Sequence, residues 1–365
     1  MAGRSSNLIQ SCLGVNPKGA PGKLLALPGR EHHSLFGSSA MSCAERFKLY
    51  IDLPARAEFL LLADLLWKET CMPIKTIIAG VALEADTDPV LERALQLAQV
   101  HEARLILVHV LENLLLVEED IGTWSTLGTL RQTLEDNARA HIALLLGDRD
   151  CRNVDVIIDH GRAHESIEAA ARAEQADLLV IGPGNPNTLR ERLFGSTADR
   201  LTRNGRVPVL VVRRQPDEPY RRVTIAMDFS PSSQQALEKA VALAPTSMFE
   251  IIHVVELPLS FEQAMLKAGT PANEIEAYRR SKANAARFKL NDLLAAMGLE
   301  RLTGGIRLFD GTPADIVAEL SREETRDLLA LGSHGRNVVS QVLLGSVTRC
   351  ALHSANRDIL VVAAA

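Results

Sequence analysis

The stretch Asp327-Leu328-Leu329-Ala330-Leu331-Gly332, followed thirteen positions on by Gly345-Ser346, decides the fold because the chain contains it twice. Asp177-Leu178-Leu179-Val180-Ile181-Gly182 leads in the same way to Gly195-Ser196, so both landmarks recur 150 positions apart (332 − 182 and 345 − 195). A unit that long exceeds the periods of solenoids and propellers and points to two complete units of like fold. Each landmark is a short apolar run ending in glycine, the pattern of a buried strand that turns into a helix.

Working outward, the same alternation continues. Thr76–Ala79, Arg104–Val110, Val154–Ile158, Asp177–Ile181 and Val207–Val212 read as strands apolar on both faces. Helical periodicity separates them at Pro89–Val100, Leu127–Leu146, Ala163–Ala173 and Ser196–Arg203. After the polar linker Arg213–Arg221 come strands Val223–Met227, Phe249–Val255, Gly305–Phe309, Asp327–Leu331 and Asp358–Val362. Helices are expected at Ser232–Leu243, within Phe261–Met297, at Pro313–Arg322 and at Ser346–His353. Doubly apolar strands alternating with amphipathic helices predict an α/β fold of two tandem doubly wound, five-stranded parallel sheets, over 72–214 and 215–365.

Residues 1–71 have no counterpart in the second half, and Ser5–Ser42 is rich in Gly, Ser and Pro without a sustained period. Disorder is the expected state of that arm. Pro54–Thr70 carries one amphipathic helical pattern. Either Met72 is the natural start and the segment before it an upstream extension, or the segment is a docking or regulatory arm. The first thirty residues lack the continuous apolar core of a secretory signal. The apolar run Phe59–Trp67 is broken by Asp64 and falls short of the roughly 20 residues that span a bilayer. A membrane partner is not expected.

The 365 residues are 47% hydrophobic and 23% charged, with a net charge of −5. That balance supplies no basic field for a nucleic-acid partner. Cys12, Cys43, Cys71, Cys151 and Cys350 form no CxxC pair, which suits a reducing cytoplasm better than disulfides or a zinc site. His32-His33 lie in the arm without nearby ligand partners, and no metal site is expected.

In doubly wound sheets ligands bind beyond the carboxyl ends of the strands, where the strand order reverses. The residues to watch therefore come just after strands one and four: Met227-Asp228-Phe229-Ser230 and Gly332-Ser333-His334-Gly335-Arg336. Nine residues separate Gly335 from Gly345-Ser346, which open a helix. Glycines let backbone approach an anion, and a helix N-terminus turns unpaired N–H groups and its positive dipole end toward it. The same glycines could equally serve only as tight strand-to-helix turns.

The Gly332-x2-Gly335-x9-Gly345-Ser346 spacing, Asp228 after strand one, Ile252-His253-Val254-Val255-Glu256 on strand two and Gly311-Thr312-Pro313 after strand three together resemble the universal stress protein family, in two copies over residues 73–365. The resemblance implies strand order 3-2-1-4-5, the Rossmann-like arrangement of adenine nucleotide alpha hydrolases, and a site for ATP, or AMP or ADP, with Mg as a companion ion. It assigns Asp228, with Met227, to the adenosine end and Val254 to the neighbourhood of the base. Gly332, Gly335, Gly345, Ser346 and Val347 would line the triphosphate, with Thr348 assisting. His334 and Arg336 hold variable places in the motif, Arg336 as a phosphate contact or a solvated loop cation.

In the first half, aligning Ile78-Ala79-Gly80-Val81 with Ile225-Ala226-Met227-Asp228 puts Val81 where the second half has the carboxylate. Gly182-Pro183-Gly184-Asn185 leads over nine residues to Gly195-Ser196-Thr197, so Asn185 replaces a motif glycine. A degenerate, mainly structural first half is expected. His109 and His253 read as hydrogen-bonded core residues, and Asp177 and Asp327 as groups bonding the turn before each fourth strand.

The chain has no GxxxxGK[ST], GxSxG, HExxH or kinase-type motif. No catalytic residue is therefore assigned, and the expectation is a cytoplasmic, nucleotide-binding stress or regulatory protein. An adenine-nucleotide hydrolase or adenylyl-transferring enzyme and a nucleotide-independent scaffold are the alternatives. The resemblance also implies that the two halves pack as an intramolecular pseudo-dimer through Val207–Val212 and Asp358–Val362, with a homodimer of the whole chain possible beyond that.

Overall fold

A computed structural model of the chain describes residues 73–83, 88–111, 124–149, 151–184, 196–204, 206–299, 303–323, 328–335 and 344–363. All of them belong to one compact unit, Cys43–Ala365. The expectations for residues 1–71, Asn185, Gly195, Asp327 and Arg336 fall outside the described residues.

The first half runs β1 (Thr76–Gly80), α1 (Pro89–His101), β2 (Arg104–Leu111), α2 (Trp124–Leu146), β3 (Val154–His160), α3 (Ala163–Ala173), β4 (Leu178–Ile181), α4 (Ser196–Asn204) and β5 (Val209–Val211). The second runs β6 (Arg222–Ala226), α5 (Pro231–Leu243), β7 (Met248–Val255), α6 (Leu259–Lys267), α7 (Ala272–Ala296), β8 (Thr303–Asp310), α8 (Pro313–Arg322), β9 (Leu328–Gly332), α9 (Ser346–Ser354) and β10 (Asp358–Val362). The region expected to hold one long helix holds two, α6 and α7, parted at Gly269, whose φ of +78° suits glycine, and at Pro271. β5 is shorter than expected, since Pro208 offers no N–H to a ladder at its start.

Within each half the strand order is 3-2-1-4-5, all parallel, as expected. The two sheets are nevertheless one: β5 pairs antiparallel with β10 through Ile359↔Val211, Leu360↔Leu210 and Val361↔Val209, giving a ten-stranded sheet β3-β2-β1-β4-β5-β10-β9-β6-β7-β8. The two last strands meet as expected, and their pairing joins the two five-stranded sheets edge to edge. Both last strands are buried throughout, so leaving either as an open edge would expose apolar backbone to unwanted pairing. Because the strands of the two halves run in opposite senses, their carboxyl edges face opposite ways.

Strand side chains alternate between two core layers, one on each face, and both layers cross the seam. Ile77, Leu105, Leu210, Ile225, Phe249 and Leu360 meet α1 and α5 residues such as Leu91 and Leu237 on one face. Ile78, Ile106, Leu179, Val211, Ile359 and Leu352 share the other. Each large apolar side chain buried in this way contributes about 1.5–3 kcal/mol. The helices start where local chemistry favours it: Asp88 caps α1 by accepting from the N–H groups of Val90 and Leu91 at 2.8 and 3.3 Å, and Pro89 occupies the first helical position.

His109, half-buried, and His253, buried, make the expected hydrogen bonds, each donating from Nδ1 to a carbonyl at the end of the neighbouring strand: Val81 at 2.9 Å and Met227 at 2.7 Å. Asp177 differs from expectation. Its Oδ2 accepts from the N–H groups of Lys75 and Thr76 at 2.7 and 3.0 Å, fixing the start of β1 rather than a turn of its own. No helix among the described residues is long and apolar enough to cross a membrane.

Candidate functional site

In the second half the order reverses between β6 and β9, which lie side by side while their connections leave in opposite directions. The loops that leave the carboxyl ends of these two strands are therefore forced together. After β6, Met227 turns its side chain into the core, where its sulfur accepts the Ser233 hydroxyl at 3.2 Å. Asp228 is half-buried, and its Oδ1 accepts from both the N–H of Ser230, at 2.9 Å, and the Ser230 hydroxyl. Phe229 sits between them in the left-handed region at φ +64°. Ser230 then caps α5, its hydroxyl oxygen accepting from Ser233 N–H at 3.2 Å.

After β9 the backbone presses onto this turn. A Cβ on Gly332 would lie 2.5 Å from the Ser232 hydroxyl oxygen and 2.8 Å from Ser233 N, so only glycine lets β9 and the first turn of α5 touch. A Cβ on Gly335 would lie 3.1 Å from Asp228 Oδ2, which brings the motif's second glycine to the carboxylate. Ser232 donates its hydroxyl to the His334 carbonyl at 2.5 Å. Gly345 returns over the same loop, donating its N–H to the Ser333 carbonyl at 2.8 Å and opening α9 without a side-chain cap. One turn into α9, the buried Thr348 hydroxyl donates to the Gly332 carbonyl at 2.7 Å.

The structure thus gathers Asp228, Gly332, His334, Gly335, Gly345 and Thr348 at one place, with Ser346 exposed at the first position of α9. It does not gather all the candidates. Met227 packs in one core layer and Val347 against the other, while Val254 stands half-buried on β7 in register with Phe309. Sequence reasoning missed Ser232 and Ser233 and gave no role to Ser230 and Ser333; all four are buried, and their hydroxyls line the junction. The signal was present: serine before a proline at the start of a helix is a cap signature. Also missed was Lys289 of α7, whose ammonium lies 4.2 Å from the centroid of the Phe229 ring, itself 5.0 Å from the His253 ring.

The first half repeats the geometry without the polar groups. Ile77 pairs with Leu178 as Val223 pairs with Leu328, and Gly80 with Val108 as Ala226 with Ile252. By that register Val81 matches Met227, and Ala82 matches Asp228. Leu83 and Phe229 come next, left-handed at φ +57° and +64°. The expected match of Val81 to Asp228 is therefore one residue off, because an Ile-Ala pair occurs in both strands at shifted places, and a one-residue slip turns every side chain to the other face. The position still carries no carboxylate. Behind the two caps, Val90 and Leu91 stand where α5 has Ser232 and Ser233. Pro183 replaces Ser333, and the buried Ala198 replaces Thr348. Gly182 keeps the strand end, but a Cβ there would meet only Val90 Cγ2, at 3.5 Å. Gly184 adopts φ +87°, Ser196 opens α4, and Thr197 is half-buried behind it.

A model of the Universal stress protein family matches residues 73–213 and again 219–363. A universal stress protein of Mycobacterium tuberculosis is 26% identical over 210 residues, 52% of this chain and 62% of that protein, so the chain spans less than two thirds of this relative's length. Another, of Mycolicibacterium smegmatis, is 25% identical over 310 residues, 78% of this chain and 96% of its own. Among solved structures, a universal stress protein from Archaeoglobus fulgidus superposes with a TM-score of 0.56 at 17% identity, covering 80% of this chain and 98% of that one. A functionally unknown protein from Pseudomonas aeruginosa does so with a TM-score of 0.53 at 16% identity, covering 80% and 93%. At those identities the superpositions show the fold alone. The two family matches take in most of the chain, and the protein belongs to the universal stress protein family, with the family unit present twice in tandem.

Proposed function

We propose that the second half binds one adenine nucleotide, ATP among them, at the carboxyl edge of its sheet, and that the first half serves as its structural partner. The observation that carries this reading is the closure of the β6 and β9 loops on each other, with Gly335 against Asp228 Oδ2 and Ser232 bonded to the His334 carbonyl. Beside that junction α9 starts at Gly345 with no side-chain cap, so its first N–H groups and positive dipole end remain for a phosphate. Asp228 offers a carboxylate to ribose or base hydroxyl and amino donors. The first half loses this chemistry through Ala82, Val90, Leu91, Pro183 and Ala198. With no catalytic constellation assigned, nucleotide occupancy acts on conformation or assembly, as befits a cytoplasmic stress or regulatory protein.

The test is to denature the purified protein and quantify released small molecules by mass spectrometry. One equivalent of ATP, ADP or AMP per chain is expected, absent from Asp228→Ala. Two equivalents would give the first half a working site. No nucleotide in any preparation, with a melting temperature that added ATP leaves unchanged, would make the chain a nucleotide-independent scaffold.

A further inference from the structure

Resting on that reading, we propose that His334 donates a hydrogen bond from Nε2 to a phosphate oxygen of the nucleotide, and that Ser333 is the positioning residue that holds the imidazole for it. His334 Nε2 is buried and has no hydrogen-bond partner among the described residues. A buried polar nitrogen left unpaired costs about 1–3 kcal/mol, and in a native fold such an orphan calls for an explanation. The other ring nitrogen is engaged: Nδ1 lies 2.7 Å from the hydroxyl of Ser333, which is completely buried. With the serine hydroxyl donating to Nδ1, the proton of the neutral ring resides on Nε2 and makes that atom a donor.

The ring has little freedom to find another partner. Ser333 is tied through its N–H to the Val362 carbonyl at 2.8 Å and through its carbonyl to Gly345 N–H at 2.8 Å. The His334 carbonyl is held by the Ser232 hydroxyl. A Cβ on Gly345, the residue that opens α9, would lie 3.6 Å from the His334 Cα, so the histidine springs from the backbone beside the helix end proposed to receive phosphate. The first half supplies the control. It too has a fourth strand, β4, and a following helix, α4, with Pro183-Gly184 in place of Ser333-His334, so neither side chain is required for such a strand and helix to form. The pair occurs only in the half that also keeps Asp228, Ser232 and Thr348.

Affinities for ATP and for adenosine, measured by titration calorimetry on the full chain, separate a phosphate contact from a general effect. His334→Leu is expected to weaken ATP about tenfold, the scale of one hydrogen bond to a charged acceptor, and to leave adenosine unchanged. Retained adenosine binding shows that the variant still folds. His334→Gln, whose amide keeps a donor, should recover part of the loss. In the wild type the His334 Nε2 resonance in an imidazole nitrogen–proton correlation spectrum should move on adding ATP but not adenosine. Ser333→Ala should shift the His334 nitrogen signals before any ligand is added and weaken ATP alone. An ATP affinity untouched by His334→Leu, an equal loss for ATP and adenosine, or a stationary Nε2 signal would overturn the assignment while the nucleotide reading stands. A wild type that binds neither ligand would overturn both.

Discussion

Arg93 of α1 and Asp358 of β10 form an ion pair 3.4 Å long across the seam between the two halves, with side chains only 6% and 4% exposed. Asp358 also accepts from the Tyr220 hydroxyl at 2.6 Å and from Arg213 N–H at 2.7 Å, and the Arg93 guanidinium lies 4.0 Å over the Tyr220 ring. The cluster occurs once: at the positions related by the repeat, Gln235 replaces Arg93 and Pro208 replaces Asp358. Its members come from α1, the linker and β10, so it ties the first half to the second independently of the three-residue β5–β10 ladder.

Removing one partner strands the other charge in a dry place. Asp358→Ala is expected to destabilise the protein by about 3–5 kcal/mol in urea denaturation, mostly the cost of leaving Arg93 buried and unpaired. The double variant Arg93→Met with Asp358→Leu should be more stable than either single one, because an apolar pair of similar volume restores packing without desolvating charge. If the effects of the two single substitutions simply add in the double, the ion pair is not what holds the seam.

Two histidines at the same seam make it sensitive to acid. His101 donates from Nε2 to the Leu243 carbonyl of the opposite half at 2.9 Å, and burial lowers its pKa below the usual 6.5, against that bond. Burial likewise lowers His353, against the nearby Asp199 carboxylate of the first half. A folded pKa below the unfolded one means that the unfolded chain takes up the proton first. These groups therefore cost nothing well above pH 6.5 and subtract stability as the pH falls through that value. Tyr220 has the opposite sense: burial, then the Asp358 charge, raises it well above 10, so its contribution is complete below pH 10 and is lost as the pH climbs beyond. Urea midpoints between about pH 5 and 8 should fall on the acid side in the wild type. The fall should be shallower in His101→Gln, which keeps a donor for Leu243. Equal slopes would remove His101 from the account.

The strands were legible because burial on both faces writes an unbroken apolar run, and the repeat made each half a check on the other. Asp228, Gly332, Gly335 and Gly345 could be placed together because a reversal in strand order brings the ends of strands one and four side by side whatever the side chains are. The rest depends on where side chains point. Met227 and Val347 stand next to motif residues but turn into the core. The serines of α5 matter because one donates to a carbonyl 102 positions away. Arg93 and Asp358 are 265 positions apart (358 − 93) and lie in units with no shared local pattern. Strand periodicity alone also tolerated the slip that put Val81, rather than Ala82, opposite Asp228.

The contrast between Gly332 and Gly182 gives the site its sharpest test. Neither glycine has a positive φ, so alanine is conformationally acceptable at both and only space differs. At Gly332 the new methyl would meet the Ser232 hydroxyl at 2.5 Å, Ser233 N at 2.8 Å and Ser232 C at 2.9 Å. The hydroxyl can rotate, but the last two are backbone, so the first turn of α5 must move and the Ser232 bond to the His334 carbonyl must break. At Gly182 the methyl would meet only Val90 Cγ2 at 3.5 Å, an ordinary contact. Gly332→Ala is therefore expected to cost about 1–3 kcal/mol in thermal or urea unfolding and to lose the co-purifying nucleotide. Gly182→Ala should leave both stability and nucleotide content as they were. Gly345→Ala, facing the Ser333 carbonyl at 3.2 Å, should fall between them. If Gly182→Ala strips the nucleotide as fully as Gly332→Ala does, the first half takes part in binding, and the loss of its polar groups has been misread.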